Sequence, residues 1–347
     1  MKKEKADSSK NQWVVLWGDM LGRDFWKKSL VIAAIFALSS GMTLLVDDTL
    51  LEKACNPDLT LINADLQCDK TYVIDKAEYL TLRDKISSYL DSEKVAGRLS
   101  RAGIYFRDLN NGPTMGINEK DKFVPASLLK VPLMVTYLNL ADDSPGILDE
   151  KLGFSWEVPP TLEQFFKPSH TIEPGKAYTI SELLYTMIAY SDNASYYVLL
   201  QHLHDIDPKG SIFFGTFQDL GIIDPTSDID QSISTKSYAA IFRTLYNVSY
   251  LSKGASEKAL ELLAASDFDS GLVAGLPAGI KIAHKFGERF GINKNNEKEL
   301  HDCGVIYYPG NPYLLCVMTE GPDYMGLATV IKNVSRMVYT EVDSRRL

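Results

Sequence analysis

The sequence predicts an α+β fold in which strands from both ends of the main domain form one mixed sheet. Strand-like runs occur near its start, at Ala102–Leu109 and Pro113–Asn118, and again near its end, between Ile280 and Thr319. Helical patterns fill the stretch between them. Because sheets and helices must bury their apolar faces against each other, this order predicts a sheet with an inserted helical lobe.

A helix and a hairpin are predicted where the main domain begins. Apolar residues between Lys76 and Val95 recur with helical spacing, at Leu82, Ile86, Tyr89 and Leu90. The two strand-like runs that follow are separated by Asn110, Asn111 and Gly112, a combination typical of a tight hairpin turn.

Helical patterns dominate the central block. The stretch from Ser127 onward is apolar, and Pro132 is expected to bend or tighten its first turns because proline removes a backbone hydrogen bond. A helix over Thr179–Tyr190 opens with the capping-box pair Thr179 and Glu182. Further helices are predicted over residues 194–203, 234–248 and 256–266.

Strands and a last helix are predicted at the C-terminal end. The strand-like runs are Ile280–Gly287, Gly304–Pro309 and Tyr313–Thr319. The helical pattern over residues 325–338 places Leu327, Ile331, Val334 and Val338 on one face.

The charge of the chain argues against a nucleic-acid partner. The 347 residues carry a formal net charge of −9, whereas phosphate binding requires a basic face, and none is evident. No glycine-rich phosphate loop and no zinc-ligand spacing occurs in the sequence, so no metal and no cofactor is expected.

An apolar run near the N-terminus predicts a membrane anchor. Ser29–Val46 contains 18 residues without a charge, and a helix of that length spans about 27 Å, close to the thickness of a hydrocarbon core. Two lysines precede the run and two aspartates follow it, so the positive-inside rule places the N-terminus in the cytoplasm. The absence of a small-residue cleavage pattern favours an uncleaved signal anchor over a signal peptide.

This anchor sets the predicted domain boundaries. Residues 1–28 form a cytoplasmic tail, 29–46 the transmembrane anchor, 47–76 a linker or stalk, and 77–342 the extracytoplasmic domain. The tail holds three of the four tryptophans beside basic residues, which suits either a segment in the lipid headgroup region or a disordered tail.

Four cysteines in an exported chain could form two disulfides. Cys303 and Cys316 lie in neighbouring strand-like runs, near enough in register to face each other, and Cys55 and Cys68 could close a small loop. Free thiols are the alternative, because cysteine also serves as a small buried apolar residue.

The catalytic hypothesis starts from Ser127 and Lys130, which share a face of a helix because they are three residues apart. A serine hydroxyl is a poor nucleophile until a base takes its proton. A lysine can be that base only if burial or a nearby positive charge lowers its pKa. The alternative is a helix-starting serine followed by an ordinary surface lysine.

Two more motifs accompany this pair. The Ser-Asp-Asn triplet Ser191–Asn193 stands between two predicted helices, where the same residues would also serve as helix caps. The Lys-Phe-Gly triplet Lys285–Gly287 ends an apolar strand, where glycine allows close approach and a strand edge can bind a peptide-like substrate. Lys151–Gly153 also fits Lys-x-Gly, so the third motif is weak evidence by itself.

The three motifs together, in this order and each in a helix, loop or strand context, resemble the signature of class A β-lactamases and penicillin-binding proteins. The resemblance extends from about Tyr79 to Val338. It implies a β-lactamase/transpeptidase-like fold: a five-stranded antiparallel sheet flanked by helices, an all-α lobe, and a catalytic site between them.

The resemblance also implies the chemistry of the helix and loop motifs. Ser127 would be the acylated nucleophile, and Lys130 its base or proton acceptor. Ser191 would pass a proton to the leaving nitrogen. Asn193 would hold both the substrate amide and Lys130.

For the strand motif, the resemblance implies substrate binding by Lys285, Phe286 and Gly287. Lys285 would supply positive potential for a substrate carboxylate and for the loop serine. The backbone N–H groups of Ser127 and Glu288 would form the oxyanion hole, in which losing one donor typically costs about 3–4 kcal/mol in the transition state.

Two departures from the family pattern bear on the substrate and on turnover. Phe286 replaces a threonine or serine whose hydroxyl binds the substrate carboxylate; Arg289 could compensate, or Glu288 could repel an anion. The loop that carries the deacylating glutamate in class A β-lactamases corresponds to Phe217–Ser237, which contains no glutamate. Its shorter carboxylates are turn or cap residues by context, at Asp224, Asp228 and Asp230.

The sequence thus predicts a membrane-anchored extracytoplasmic serine hydrolase that acts through an acyl-enzyme on a β-lactam or a related cell-wall amide and deacylates slowly. A D-Ala-D-Ala carboxypeptidase or transpeptidase acting on a peptidoglycan-type peptide is the second hypothesis. The third, from a different class, is a penicillin-binding sensor or binding protein without turnover.

Overall fold

A computed structural model of the chain describes residues 60–63, 79–110, 112–155, 164–222, 232–290 and 297–345. The predicted cytoplasmic tail, the anchor and most of the linker lie outside these ranges. Among the helices within them, none is both long enough and apolar enough to cross a bilayer.

The described strands and helices follow the predicted order, with strands at both ends and a mainly helical block between them, but the four short strands within that block were not predicted. The strands are β1 (Arg101–Asp108), β2 (Thr114–Ile117), β3 (Lys122–Phe123), β4 (Lys151–Phe154), β5 (Lys176–Thr179), β6 (Ile233–Ser234), β7 (Ile282–Arg289), β8 (Lys298–Ile306) and β9 (Tyr313–Gly321). The helices are α1 (Leu80–Val95), α2 (Lys130–Asp143), α3 (Ile180–Ala189), α4 (Asn193–Ile206), α5 (Ser211–Asp219), α6 (Thr235–Tyr246), α7 (Lys253–Ala264) and α8 (Tyr324–Ser344). Short 3₁₀ turns cover Ala126–Leu129, Pro145–Asp149 and Val273–Gly275.

A five-stranded sheet with the order β2-β1-β9-β8-β7 joins the two ends of the domain. All four neighbouring pairs are antiparallel. The mixed sheet expected from the strand pattern is therefore wrong for the described residues, and the antiparallel sheet implied by the family resemblance is confirmed. β7 is an edge strand, which leaves one side of its backbone facing the rest of the domain.

Helices cover both faces of this sheet. On one face, α1 and α8 bury their apolar stripes, which include Leu82, Ile86, Val334 and Val338. On the other face, a second core joins the sheet to α2, α3, α4, α6 and α7. At about 25 cal/mol per Å² of apolar surface removed from water, these two cores stabilise the sheet against the helices on both sides.

Most sequence predictions of elements are confirmed, including the hairpin, the capping box of α3 and the tightened turn ahead of Pro132. The β8 strand begins at Lys298 rather than at Gly304. Its first half was missed because Glu299, His301 and Asp302 are polar although buried. Helix α5 was not predicted.

The disulfide predicted between the neighbouring strands is confirmed. Cys303 and Cys316 are bonded and are direct partners in the register of β8 and β9. Cys55 and Cys68 lie outside the described residues.

Part of the predicted linker is docked on the main domain. The backbone N–H groups of Thr60, Leu61 and Ile62 all donate to the Glu257 carboxylate, at 2.6–3.0 Å. Tyr307 donates its hydroxyl to the Leu61 carbonyl at 3.0 Å. The side chains of Leu61 and Ile62 are buried in the core beside the helical lobe, so this segment is held by both polar and apolar contacts.

Candidate active site

The turn that carries Ser127 is a strained 3₁₀ turn ahead of α2. Ala126, directly before Ser127, has a φ of 50°, in the left-handed region that alanine rarely adopts. The backbone N–H of Lys130 donates to the Ser127 carbonyl, which closes the turn. Ser127 is half-buried, whereas Lys130 is buried. The pair predicted from spacing therefore occupies the end of a helix that enters the core.

The second motif lies against the Lys130 ammonium group. Lys130 Nζ donates to Asn193 Oδ1 at 2.8 Å, to Ser191 Oγ at 3.2 Å and to the Ser191 carbonyl. Ser191 has a φ of 57°, a second strained non-glycine position. Between them, Asp192 caps α4 by accepting hydrogen bonds from the backbone of Ala194 and Ser195. This triplet therefore ends one helix, begins the next and turns two polar side chains toward Lys130.

The third motif delivers a second ammonium group to the same hydroxyl. Lys285 Nζ, fully buried, lies 2.8 Å from Ser191 Oγ and 2.9 Å from the Phe286 carbonyl oxygen. Two lysines thus converge on Ser191, and the motifs on α2, on the α3–α4 loop and on β7 form one polar cluster.

Burial dominates the electrostatics of both lysines. It lowers the pKa of Lys130 well below its usual value, and the neighbouring Lys285 lowers it further, against opposing effects of Asp192 and Glu288. Burial also lowers the pKa of Lys285, to about 7, against opposing effects of Asp302, Asp267 and Glu288. A lysine with a depressed pKa can accept a proton near neutral pH, which an ordinary surface lysine cannot.

Gly287 brings the edge strand against the serine turn. A Cβ at Gly287 would lie 2.8 Å from the Pro125 carbonyl oxygen and 3.0–3.1 Å from atoms of Leu128. Only a residue without a side chain allows this approach of β7 to the turn of Ser127.

Phe286 is buried beside the site. Its ring is 3% exposed and stacks on Phe268, with the ring centroids 3.9 Å apart. Phe166 approaches both rings edge-on, at 6.1 and 5.0 Å. The phenyl group therefore packs into the core, and a substrate contact at this position would have to come from the backbone.

Three contributors to the site were not identified from the sequence. Gln164 and Phe166 belong to no motif, and the only role considered for the Glu288 side chain was the repulsion of an anion. Gln164–Phe166, called the strap below, crosses from the Ser191 loop to β7. Gln164 Nε2 donates to the Ser191 carbonyl at 3.2 Å. The backbone N–H of Phe166 lies 3.3 Å from both carboxylate oxygens of Glu288. Asp224, Asp228 and Asp230 of the predicted deacylation loop lie outside the described residues.

The chain belongs to the beta-lactamase enzyme family, whose model matches residues 81–342. It is therefore a β-lactamase-like serine hydrolase. A comparison with curated proteins found no match.

Solved structures share the fold. PBP-A is 24% identical, with 79% of this chain and 100% of that chain covered at a TM-score of 0.62. A point mutant of PBP-A, solved as an acyl-enzyme complex with penicillin G, is 23% identical, with coverage of 78% and 100% and a TM-score of 0.61. A class A β-lactamase from Mycobacterium abscessus is 23% identical, with coverage of 76% and 99% and a TM-score of 0.61.

Proposed function

We propose that this protein is a membrane-anchored, extracytoplasmic serine hydrolase that opens a β-lactam or a related cell-wall amide through an acyl-enzyme and deacylates it slowly. The observation that carries the proposal is the convergence of two buried lysine ammonium groups on Ser191 Oγ, at 2.8 and 3.2 Å. Burying a lysine ammonium group costs free energy, and a purely structural role would be filled as well by an apolar side chain of similar size. Two buried lysines at one hydroxyl therefore favour a chemical role.

Acylation would begin when Lys130, in its neutral form, takes the proton of Ser127 Oγ. The oxygen then attacks the carbonyl carbon of the substrate, and the negative charge that develops on the carbonyl oxygen is stabilised by the backbone N–H groups of Ser127 and Glu288. The C–N bond breaks as the leaving nitrogen receives the proton of Ser191 Oγ. Lys130, now protonated and hydrogen-bonded to Ser191, returns a proton to that oxygen.

Lys285 and Asn193 would position this proton path. Lys285 donates to Ser191 Oγ, which orients the hydroxyl and favours its transient negative charge. Asn193 Oδ1 accepts from Lys130 Nζ at 2.8 Å, which directs the ammonium toward the loop. Its amide nitrogen would donate to the substrate.

Slow deacylation is proposed because Phe217–Ser237 contains no glutamate. Hydrolysis of the ester requires a base that activates water, and a displacement of 1 Å in such a base costs about 100-fold in rate. Slow turnover is equally expected of a penicillin-binding carboxypeptidase or transpeptidase, which is the second candidate function. The acyl-enzyme that a mutant of the similar PBP-A forms with penicillin G supports this candidate. A sensor without turnover is the third.

The anchoring is proposed from the sequence alone. The uncharged run Ser29–Val46, with two lysines before it and two aspartates after it, carries this part of the proposal. Protease treatment of intact and of opened cells tests it: the C-terminal domain should be digested from the outside, and digestion only after the cells are opened would contradict the orientation.

The catalytic proposal is tested on the full chain in detergent. Intact mass after incubation with benzylpenicillin should show one adduct per chain, which should be absent from Ser127→Ala. The half-life of the adduct separates hydrolysis from simple binding. If neither benzylpenicillin nor its uncharged carboxamide adds to the protein or is opened by it, the proposal is wrong.

A further inference from the structure

A carboxylate is built into the wall of the site. Glu288 is half-buried on β7, one residue after Gly287, whose backbone approaches the Ser127 turn. Both oxygens of this carboxylate lie 3.3 Å from the backbone nitrogen of Phe166. The strap that holds Glu288 also contacts Ser191 through Gln164. This three-residue segment therefore connects Glu288 to Ser191.

This carboxylate is near enough to the two lysines of the site to interact with them electrostatically. Lys130 and Lys285 each act electrostatically on Glu288, and Glu288 acts on both of them. Burial raises the pKa of Glu288, while the backbone N–H groups of the strap and the two lysines oppose that rise. The Glu288 carboxylate is therefore held by backbone N–H groups of the strap, and the two lysines act on it electrostatically without forming an ion pair with it.

The charge around the lysines is already compensated. Carboxylates from four positions act on the pair, at Asp192, Asp267, Glu288 and Asp302. Since burial lowers the pKa of each lysine, the pair carries fewer than two full positive charges near neutral pH. A second anion brought by a substrate would meet repulsion from Glu288 with little free positive charge to offset it.

The neighbouring arginine is directed elsewhere. Arg289 lies on the opposite face of the strand, where its guanidinium is 3.8 Å from Glu299 of β8. Arg289 therefore does not compensate Glu288. Beneath the carboxylate, the buried ring of Phe286 offers no hydrogen-bond donor to an anion.

We propose that Glu288 is the internal anion of the site and a specificity-determining residue, which selects substrates that are uncharged next to the scissile amide. The inference rests on the acyl-enzyme function proposed above and deepens it. The substrate class is an uncharged cyclic or peptide amide, or one whose terminal carboxyl is itself amidated or esterified.

The test compares two probes of nearly equal shape, benzylpenicillin and its carboxamide, on the full chain in detergent at pH 7. Acyl-enzyme formation on Ser127 is followed by intact mass. The carboxamide is expected to acylate the wild type at least about tenfold faster than the acid, once the rates are corrected for the reactivity of each probe toward hydroxide. In Glu288→Gln, which keeps the size and one acceptor, this ratio should fall to within about threefold of unity.

Glu320→Gln is the matched control, because it removes another buried carboxylate of the same sheet that pairs with Arg101 and not with Arg289, and it should leave the ratio unchanged. If Glu288→Gln fails to fold, ionic strength replaces it: salt should speed acylation of the wild type by the acid and not by the carboxamide. Faster acylation by the acid in the wild type, or a ratio unaffected by Glu288→Gln and by salt, overturns the inference and leaves the proposed function standing. No adduct with either probe overturns both.

Discussion

Lys285 Nζ lies 2.8 Å from Ser191 Oγ, and this contact links a strand at the sheet edge to a loop of the helical lobe. Both groups are buried. Burial lowers the pKa of Lys130, and the Lys285 cation on the other side of Ser191 lowers it further. The charge state of Lys285 therefore affects both the proton donor and the proposed base.

The first prediction concerns the pH dependence of acylation. The rate should rise as Lys130 loses its proton and fall as Lys285, with a pKa of about 7, becomes neutral at higher pH. At pH 9 about 1% of Lys285 is protonated. The acylation rate, measured with whichever of benzylpenicillin and its carboxamide reacts faster, should therefore drop by up to about 100-fold from its maximum.

Lys285→Arg tests this assignment, because arginine stays protonated over the whole range. Its pH profile, normalised to its own maximum, should lose the alkaline limb. An unchanged alkaline limb in Lys285→Arg would assign the titration to another group.

The second prediction is that Lys285 lowers stability. Its folded pKa of about 7 lies below the usual 10.5, so the unfolded chain binds this proton more tightly. The resulting destabilisation is fully present below pH 7 and disappears as the pH rises toward 10.5. Lys285→Met should therefore abolish acylation yet raise the free energy of unfolding by about 2 kcal/mol at pH 7.

Urea unfolding at pH 7 and at pH 10 measures this effect. The advantage of Lys285→Met over the wild type should shrink at pH 10. A variant less stable than the wild type at both pH values would show that the hydrogen bonds of Lys285 outweigh the cost of burying its charge.

The strand motif shows what the sequence could and could not predict. Lys285 and Gly287 were predictable, since a strand ending in Lys-x-Gly constrains both charge and close approach. The burial of Phe286 was not, because its partners Phe166 and Phe268 are far away in the sequence. A one-dimensional pattern identifies a residue that departs from a motif, but the packing partners that determine its consequence are brought together only by the fold.

The role of Glu288 shows a second limit. Its backbone position followed from the motif, whereas the direction of its side chain depends on the strap, which has no recognisable pattern. Strand alternation separates Glu288 from Arg289, but only the fold shows that Arg289 pairs with Glu299 and that Glu288 accepts hydrogen bonds from the strap. Similarly, the polar first half of β8 was not recognisable as a strand, because only the fold buries Glu299, His301 and Asp302.

The third prediction tests the approach of β7 to the serine turn. Gly287→Ala would place a Cβ 2.8 Å from the Pro125 carbonyl oxygen, so the strand must move away from Ser127. We expect a loss of about 1–3 kcal/mol in the free energy of unfolding and a fall of about 100-fold in the acylation rate.

Gly153→Ala is the matched control for this change, because Gly153 ends the other Lys-x-Gly triplet and a Cβ there meets nothing within 4 Å. Both properties should stay near wild type in Gly153→Ala. If Gly287→Ala acylates as fast as this control, then close packing of β7 against the serine turn is not required for catalysis.

The last prediction concerns the docked segment at Thr60–Asn63. Glu257 is buried and accepts three consecutive backbone N–H groups, so Glu257→Gln replaces a charged acceptor with a neutral amide that also presents an unwanted donor. The free energy of unfolding should fall by about 2 kcal/mol. Hydrogen exchange at Leu61 and Ile62 should accelerate more than in the sheet.

Glu261→Gln is the control, at an exposed position on the same helix that pairs only weakly with Lys258, at 3.5 Å. It should change the free energy of unfolding by less than about 0.5 kcal/mol. Equal losses in the two variants would mean that the segment is held by its apolar side chains, not by the carboxylate.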